Sequence, residues 1–344
     1  MAPSVVQEVC DALAQQGYLL DLNVSRWAGQ TRLTEEDLGL DGLTDSNLHR
    51  LGRMQLVPAD ELAKIMRIEQ RARQALAHRS FKFPFGGARF VPEKMLGILL
   101  SELDRCRTEF NAAVESFVLD YGTMRRKMHS TWMENARRLQ QELGKPAEWL
   151  NAFEGRLEAA YPSSEVVRRS FDIQWLMYQM ALPQGLNVRL IDTKNAMEAA
   201  RLADEARRNM EAQVQSFVGE AAQELRSRAA SLCAHVSEQI GKNGDKLSEK
   251  SLNPLRELIA EFQAMDFTGD ADFKATLDRL RSELLGGAKS GTAEALRGDA
   301  NFREQFKQGL DAVVAKVEGE ATQVTEEAVS RFLKFGRMGR AAAL

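Results

Sequence analysis

Residues 91–144 read VPEKMLGILLSELDRCRTEFNAAVESFVLDYGTMRRKMHSTWMENARRLQQELG, and this stretch decides the architecture. Pro92 and Glu93 suit the first turn of a helix: proline lacks only an amide that has no partner there, and a carboxylate favours the positive end of the dipole. Apolar residues then recur at Leu96, Leu99, Leu103, Cys106, Phe110, Val114, Phe117, Tyr121, Met124, Met128 and Trp132. These steps of three and four keep one helical face apolar. Gly144, followed by Lys145 and Pro146, is a stop signal. One helix over 93–143 is expected, about 75 Å long. A globule of 344 residues has a radius of gyration of about 20 Å, so either this helix breaks near Gly122 or the molecule is not a sphere.

A second segment, from about Asn195 to Ile240, carries Met197, Met210, Val214, Phe217, Ala221, Leu225, Ala229, Leu232, Val236 and Ile240 at helical spacing, and Gly241, Asn243 and Gly244 stop it. Its similar length makes an antiparallel pair of arms the simplest way to bury both stripes; a set of ordinary broken helices in a larger bundle is the alternative. Shorter helices are expected at 254–265 and 271–285, with Asp270 or Thr268 capping the second. LLGGAKSG then breaks the chain before a helix over 301–334, striped by Phe302, Phe306, Leu310, Val313, Val317, Ala321, Val324, Ala328 and Phe332.

The first ninety residues differ in texture. A helix over 4–15 gives way at Gly17 to YLLDLNVSRWAG, whose Leu20, Leu22 and Val24 alternate as in a strand. SFKFPFGGARFV places Phe81, Phe83 and Phe85 at alternate positions, with Pro84 arguing for a sheet edge and Gly86–Gly87 for a turn. Thr34 and Asp37 resemble a capping box, and a helix enters through VPADE over 58–77. The expected fold is mainly α, an elongated antiparallel helical bundle or coiled-coil arms with a small α+β head. The expected divisions are 1–91 for the head, 92–183 for the first arm and an aromatic-rich connector, 184–253 for the second arm and 254–344 for C-terminal helices.

Composition narrows the chemistry. The chain has 46 basic and 49 acidic residues, a net charge of -3 and 44% hydrophobic residues, so neither disorder nor a dedicated polyanion surface is the default. No apolar run approaches a bilayer span, and the N-terminus lacks the basic and apolar regions of a signal peptide, which makes the cytoplasm the expected compartment. Neither GxxxxGK[ST], GxGxxG nor HExxH occurs. His49, His78, His129 and His235 lack ligand spacing, and Cys10, Cys106 and Cys233 sit on or beside apolar stripes, so core thiols and structural histidines are expected. Glu35/Glu36 and Asp60/Glu61 fit helix starts better than general acid–base work. No catalytic residue, metal or cofactor is assigned.

Basic groups are more suggestive. Arg67, Arg71, Arg73 and Arg79, the pair Arg168 and Arg169, the run Arg125, Arg126 and Lys127, and the tail residues Lys334, Arg337 and Arg340 could meet phosphate. Interspersed glutamates favour ion pairs or solvated faces, leaving Arg125, Arg126 and Lys127 as the candidate nucleic-acid contacts. The stretch SFDIQWLMYQMALP, with Phe171, Ile173, Trp175, Leu176, Tyr178 and Met180, is too apolar for an ordinary surface and fits a core or a partner interface equally well.

LLDLNVSRWAGQTRLTEEDLGL at 19–40, with GGARFVP at 86–92 before a long helix, resembles an uncharacterised domain family of phages, plasmids and integrative elements. The likeness rests on Leu22, Val24, Trp27, Gly29, Leu33, Asp37, Leu38, Arg89, Phe90, Val91 and Pro92. It brings no catalytic residue. It implies a MoxR-like AAA+ ATPase as a partner, and Leu22, Val24, Trp27, Asp37, Arg89, Phe90, Phe171, Trp175 and Tyr178 are the candidate family-motif or partner-interface positions. The expected function is a non-enzymatic structural or adaptor protein of a phage or mobile-element system. The alternatives are a nucleic-acid-binding accessory protein in recombination, replication or defence, and a toxin-like helical protein. Homo-oligomerisation is expected to be open to it, membrane insertion is not.

Overall fold

A computed structural model describes residues 5–38, 51–179, 193–243, 248–284, 292–320, 328 and 330–332. The chain is mainly helical with a small antiparallel sheet. In order, α1 (Val5–Gln16) leads into β1 (Gly17–Ser25), β2 (Gln30–Arg32), a 3-10 turn at Glu36–Leu38, β3 (Arg53–Gln55), α2 (Ala59–His78), β4 (Phe81–Lys82) and β5 (Arg89–Pro92). There follow α3 (Glu93–Leu143), α4 (Ala147–Ala160), α5 (Ser164–Arg169), β6 (Asp172–Tyr178), α6 (Thr193–Asn243) and α7 (Glu249–Met265). The chain continues through α8 (Ala271–Arg279), a π turn at Leu280–Leu284, α9 (Thr292–Gly298) and α10 (Ala300–Glu320).

The long helix forms without a break at Gly122, where a side chain would meet open space, and it ends at Gly144 with φ 63°. Leu99, Leu103, Cys106, Phe110, Val114, Phe117, Tyr121 and Met124 are buried as their spacing requires. The stripe then drifts: Trp132 is half-buried, and Met133 and Ala136 take the buried positions. A seven-residue repeat falls behind a helix of 3.6 residues per turn, so this drift follows from geometry. At the other end Met95 is buried and Leu96 only half-buried.

α6 spans the second expected segment, with Val214, Phe217, Ala221, Leu225, Ala229, Val236 and Ile240 buried. The side chains of Met197 and Met210 lie outside the described residues. Cys233, not Leu232, is the buried member of its turn, and Val218, Ala222 and Ala230 widen the apolar face. α7 starts at Glu249, one turn before the Pro254 expected to open it. Pro254 is thus the sixth helical position, where it removes the bond its amide would have made to the Lys250 carbonyl. Asp270 caps α8, its side chain accepting from the Phe273 amide. α10 ends at Glu320; Ala321 and Val324 of the expected longer helix lie outside the described residues, whereas Ala328 and Phe332 are buried.

The four-stranded sheet has the order β4-β5-β1-β6, and β2 pairs with β3 separately. β1 and β5 are antiparallel, with Gly17 opposite Pro92 and Leu20 opposite Arg89. A Cβ at Gly17 would lie 2.3 Å from the Val91 carbonyl oxygen, so only glycine permits this close pairing. β4 stops after Lys82, and Gly86 and Gly87, at φ 66° and 74°, turn the chain into β5. No strand was expected at β6, whose DIQWLMY lacks clean alternation but has the β-branched and aromatic content of a strand.

The chain divides into two units. One comprises 1–21, 77–99 and 177–344, the other 22–76 and 100–176. In the first, α6 packs against α1, α7 and α10. Phe90 there meets Phe217 and Phe267 at ring-centroid distances of 5.6 and 4.8 Å, and Phe267 meets Phe81 and Phe332 at 5.4 and 5.9 Å. In the second unit, Phe117 lies between Trp27 and Phe171, and two indoles reach backbone: Trp132 Nε1 donates to Gln55 O and Trp149 Nε1 to Glu36 O, both at 2.7 Å. No helix among the described residues is long and apolar enough to cross a membrane.

Candidate functional site

In the second unit the TEED segment forms the capping box its spacing suggests. Thr34 N donates to Asp37 Oδ2 at 2.9 Å, and Asp37 N donates to Thr34 Oγ1 at 3.3 Å. The carboxylate is buried, and its other oxygen accepts from Arg156 Nε at 2.8 Å. Arg156 also lies 3.5 Å from Glu36. Asp37 therefore locks a turn and ties it to α4. Both of its oxygens are engaged in holding local structure.

Gly29 holds φ 66°, and a Cβ there would lie 2.7 Å from Leu62 Cδ1 and 2.8 Å from Val57 Cγ2. Two residues earlier, the half-buried Trp27 packs edge-on against Tyr121 at 5.6 Å. Leu22 is buried and Val24 half-buried on β1. The motif positions in this unit thus build a turn and the wall behind it.

Arg89, in the first unit, serves a related purpose. Its Nε donates to Ser80 Oγ at 2.6 Å and its Nη2 to Ser80 O at 3.2 Å. Arg228 of α6 donates to the carbonyls of His78 and Ser80 at 2.8 and 3.1 Å. Two arginines therefore close the C-terminal end of α2, where carbonyls lack helical partners. Burial lowers the Arg89 pKa from its ordinary value, while Glu224 opposes that shift. Phe90, next to it, is buried in the phenyl cluster.

The aromatic segment separates by depth. Phe171 is buried against Phe110 and Phe117. Trp175 is half-buried beneath Arg107, whose Cζ lies 4.7 Å from the ring centroid. Leu176, Met177 and Tyr178 are 65%, 47% and 41% exposed in succession along β6. β6 stands at the end of the sheet order, next to β1, so this apolar run lies on an edge strand. Met180 lies outside the described residues.

Most basic candidates are held locally. Arg71 pairs with Glu109, Arg73 with Glu69 at 2.9 Å, Arg79 with Glu261 at 3.5 Å, Arg168 with Glu115 at 2.9 Å and Arg169 with Glu165 at 2.9 Å. Arg67 turns back to Ala63 O at 3.2 Å. The run at 125–127 differs. Arg125 lies over the Tyr161 ring at 5.1 Å, Arg126 donates to Thr123 Oγ1 at 3.1 Å, and Lys127 is exposed. Successive helical residues point about 100° apart, so the three cannot share one face. Lys334, Arg337 and Arg340 lie outside the described residues.

Cys10, Cys106 and Cys233 are all free and buried. Burial pushes the Cys233 thiol up to about 12. No group of three or more His, Cys, Asp or Glu among the described residues is placed to hold a metal ion. His78 and His235 are exposed, and His49 lies outside the described residues. The exposed end of β6 is a surface feature that helix stripes alone could not mark.

No curated protein and no solved structure gives a significant match to the chain. A family model described as "Protein of unknown function (DUF3150)" matches residues 15–295, which takes in every motif position discussed above and both long helices, and the chain belongs to that family.

Proposed function

We propose that the protein is a non-enzymatic structural or adaptor component of a phage or mobile-element system that works with a MoxR-like AAA+ ATPase in the cytoplasm. The observation that carries the partner-binding part of this reading is the exposed run Leu176–Tyr178 on an edge strand. An edge strand offers unpaired backbone groups, and apolar side chains beside them favour pairing with another chain. The ATPase itself comes from the family resemblance. In this reading α3 and α6, each 51 residues and about 75 Å long, serve as arms that extend the body. Self-association through the same edge is a second use of the strand.

The test is co-purification of the full chain with a MoxR-like ATPase from the same element in ADP and in a non-hydrolysable ATP analogue. Stoichiometric association that depends on nucleotide and is lost in Leu176→Lys is the expected result; no association in either nucleotide overturns the reading. Small-angle scattering tests the arms, since a monomer with a radius of gyration of about 20 Å would be compact.

A nucleic-acid-binding accessory role is the second reading. It is favoured by Arg125, Arg126 and Lys127, which have no carboxylate partner among the described residues. It requires a mobility shift that weakens with salt and with Lys127→Glu.

A further inference from the structure

A groove of about 420 Å³ opens between α3 and α4 within the second unit, a volume in the range of small-molecule sites. Its α3 wall carries Arg125, Arg126, His129 and Arg137, and its α4 wall Glu154 and Glu158. The basic wall follows from spacing. At about 100° per residue, positions 125, 129, 126 and 137 fall within an arc of about 120°, one broad side of the helix.

Arg71, Arg107, Arg156 and Arg168 of this unit pair with carboxylates, but these three do not. Arg125 has only the Tyr161 ring and Arg126 only Thr123, and Arg137 has no hydrogen bond or ion pair among the described residues. The glutamates on the facing wall leave them unneutralised: the one approach is His129 Nε2 to Glu154 Oε1, at 4.0 Å. That Nε2 is buried and has no hydrogen-bond partner. Buried polar atoms without partners are rare because each forfeits its hydration, and a ligand is one way to satisfy them.

We propose that this groove binds a small organic phosphate that carries hydroxyl or amino groups, such as a sugar phosphate or a nucleoside monophosphate. Guanidinium groups match phosphate oxygens in two-pronged, charge-assisted hydrogen bonds, which assigns the phosphate to the α3 wall. Glu154 and Glu158 accept from hydroxyl or amino groups, which assigns the remainder of the ligand to the α4 wall. The same carboxylates repel a second phosphate, so the site discriminates against polyphosphates and nucleic acid. This inference is independent of the adaptor reading.

Titration calorimetry on the full chain, with adenosine monophosphate, glucose 6-phosphate, inorganic phosphate and adenosine as probes, tests it. At least one of the two organic phosphates is expected to bind, more tightly than inorganic phosphate, and adenosine not to bind. Arg137→Ala, an exposed position whose loss leaves the fold intact, is expected to weaken that binding at least about tenfold, the scale of one charge-assisted hydrogen bond. Glu158→Gln is expected to lose the advantage of the organic phosphate over inorganic phosphate. The proposal is overturned if neither organic phosphate binds, if Arg137→Ala binds as well as the parent, or if a DNA oligonucleotide binds the groove while both small phosphates do not.

Discussion

Arg226 and Asp270 form a buried ion pair, with Nε 2.6 Å from Oδ2 and the two side chains 3% and 7% exposed. Arg226 lies on the apolar face of α6 between Leu225 and Ala229, where an alanine-rich stripe gives no hint of a charge. Asp270 serves three donors at once: it caps α8 through the Phe273 amide, accepts from Arg226, and takes Arg331 Nη1 at 3.1 Å. One carboxylate thus joins three helical segments of the first unit.

Asp270→Asn keeps much of the cap but leaves Arg226 buried against a neutral partner. Removing one member of such a pair costs about 3–5 kcal/mol, whereas replacing both by apolar groups of similar volume is often close to neutral. The urea midpoint of Asp270→Asn should fall well below that of the parent, and Arg226→Met/Asp270→Asn should recover part of the loss. A double variant no more stable than the single one would mean that the pair is not what holds these helices.

The helices were legible because their stripes and stop signals are local. Leu99 to Met124 and Val214 to Ile240 are buried largely at the positions their spacing assigns, and Gly144 ends α3 where its positive φ is needed. The Thr34–Asp37 box was legible for the same reason, both of its bonds lying within four residues. Arg156, which completes Asp37, stands 119 positions away, and no local period encodes such a pairing. β6 was not legible because DIQWLMY mixes core and exposed apolar residues without alternation. The groove at Arg125 was only half-legible: the basic run is contiguous in sequence, but Arg137, His129 and the facing α4 carboxylates are gathered by the fold.

Gly29→Ala tests whether a motif glycine is structural. Its positive φ and the 2.7 Å approach of Leu62 Cδ1 act together, and a strained left-handed residue costs about 1–3 kcal/mol. The variant should unfold at lower urea, while Gly122→Ala, a helical position with open space around it, should be neutral or stabilising by about 1 kcal/mol. Equal effects at the two sites would remove the case for Gly29.

Asp37→Ala removes the reciprocal cap and leaves the half-buried Arg156 without its closer carboxylate. Losing the cap costs about 1 kcal/mol, and the stranded guanidinium adds to it. Hydrogen exchange should accelerate at residues 34–38 before the α3 core is affected. Asp37→Asn, which retains an acceptor for the Thr34 amide, should sit between parent and alanine; exchange unchanged in both variants would sink the account.

Alkaline pH should loosen the fold through two buried acids. Burial pushes the Cys233 thiol from 9.0 up to about 12, and burial, with a smaller contribution from Tyr121, pushes the Tyr161 phenol from 10.0 up to about 12. Both groups release protons more readily when unfolded than when folded. The stability present below the unfolded values is therefore lost as pH rises from about 9 toward 12. Between about pH 8 and about pH 10.5 the urea midpoint of the parent should fall, and Cys233→Ala and Tyr161→Phe should each fall by less over that interval. The slope is the informative quantity, because Cys233→Ala also empties part of a packed site and lowers stability at every pH. A parent midpoint that stays level across this interval, or variants that fall as steeply as the parent, would show that neither burial governs the alkaline response.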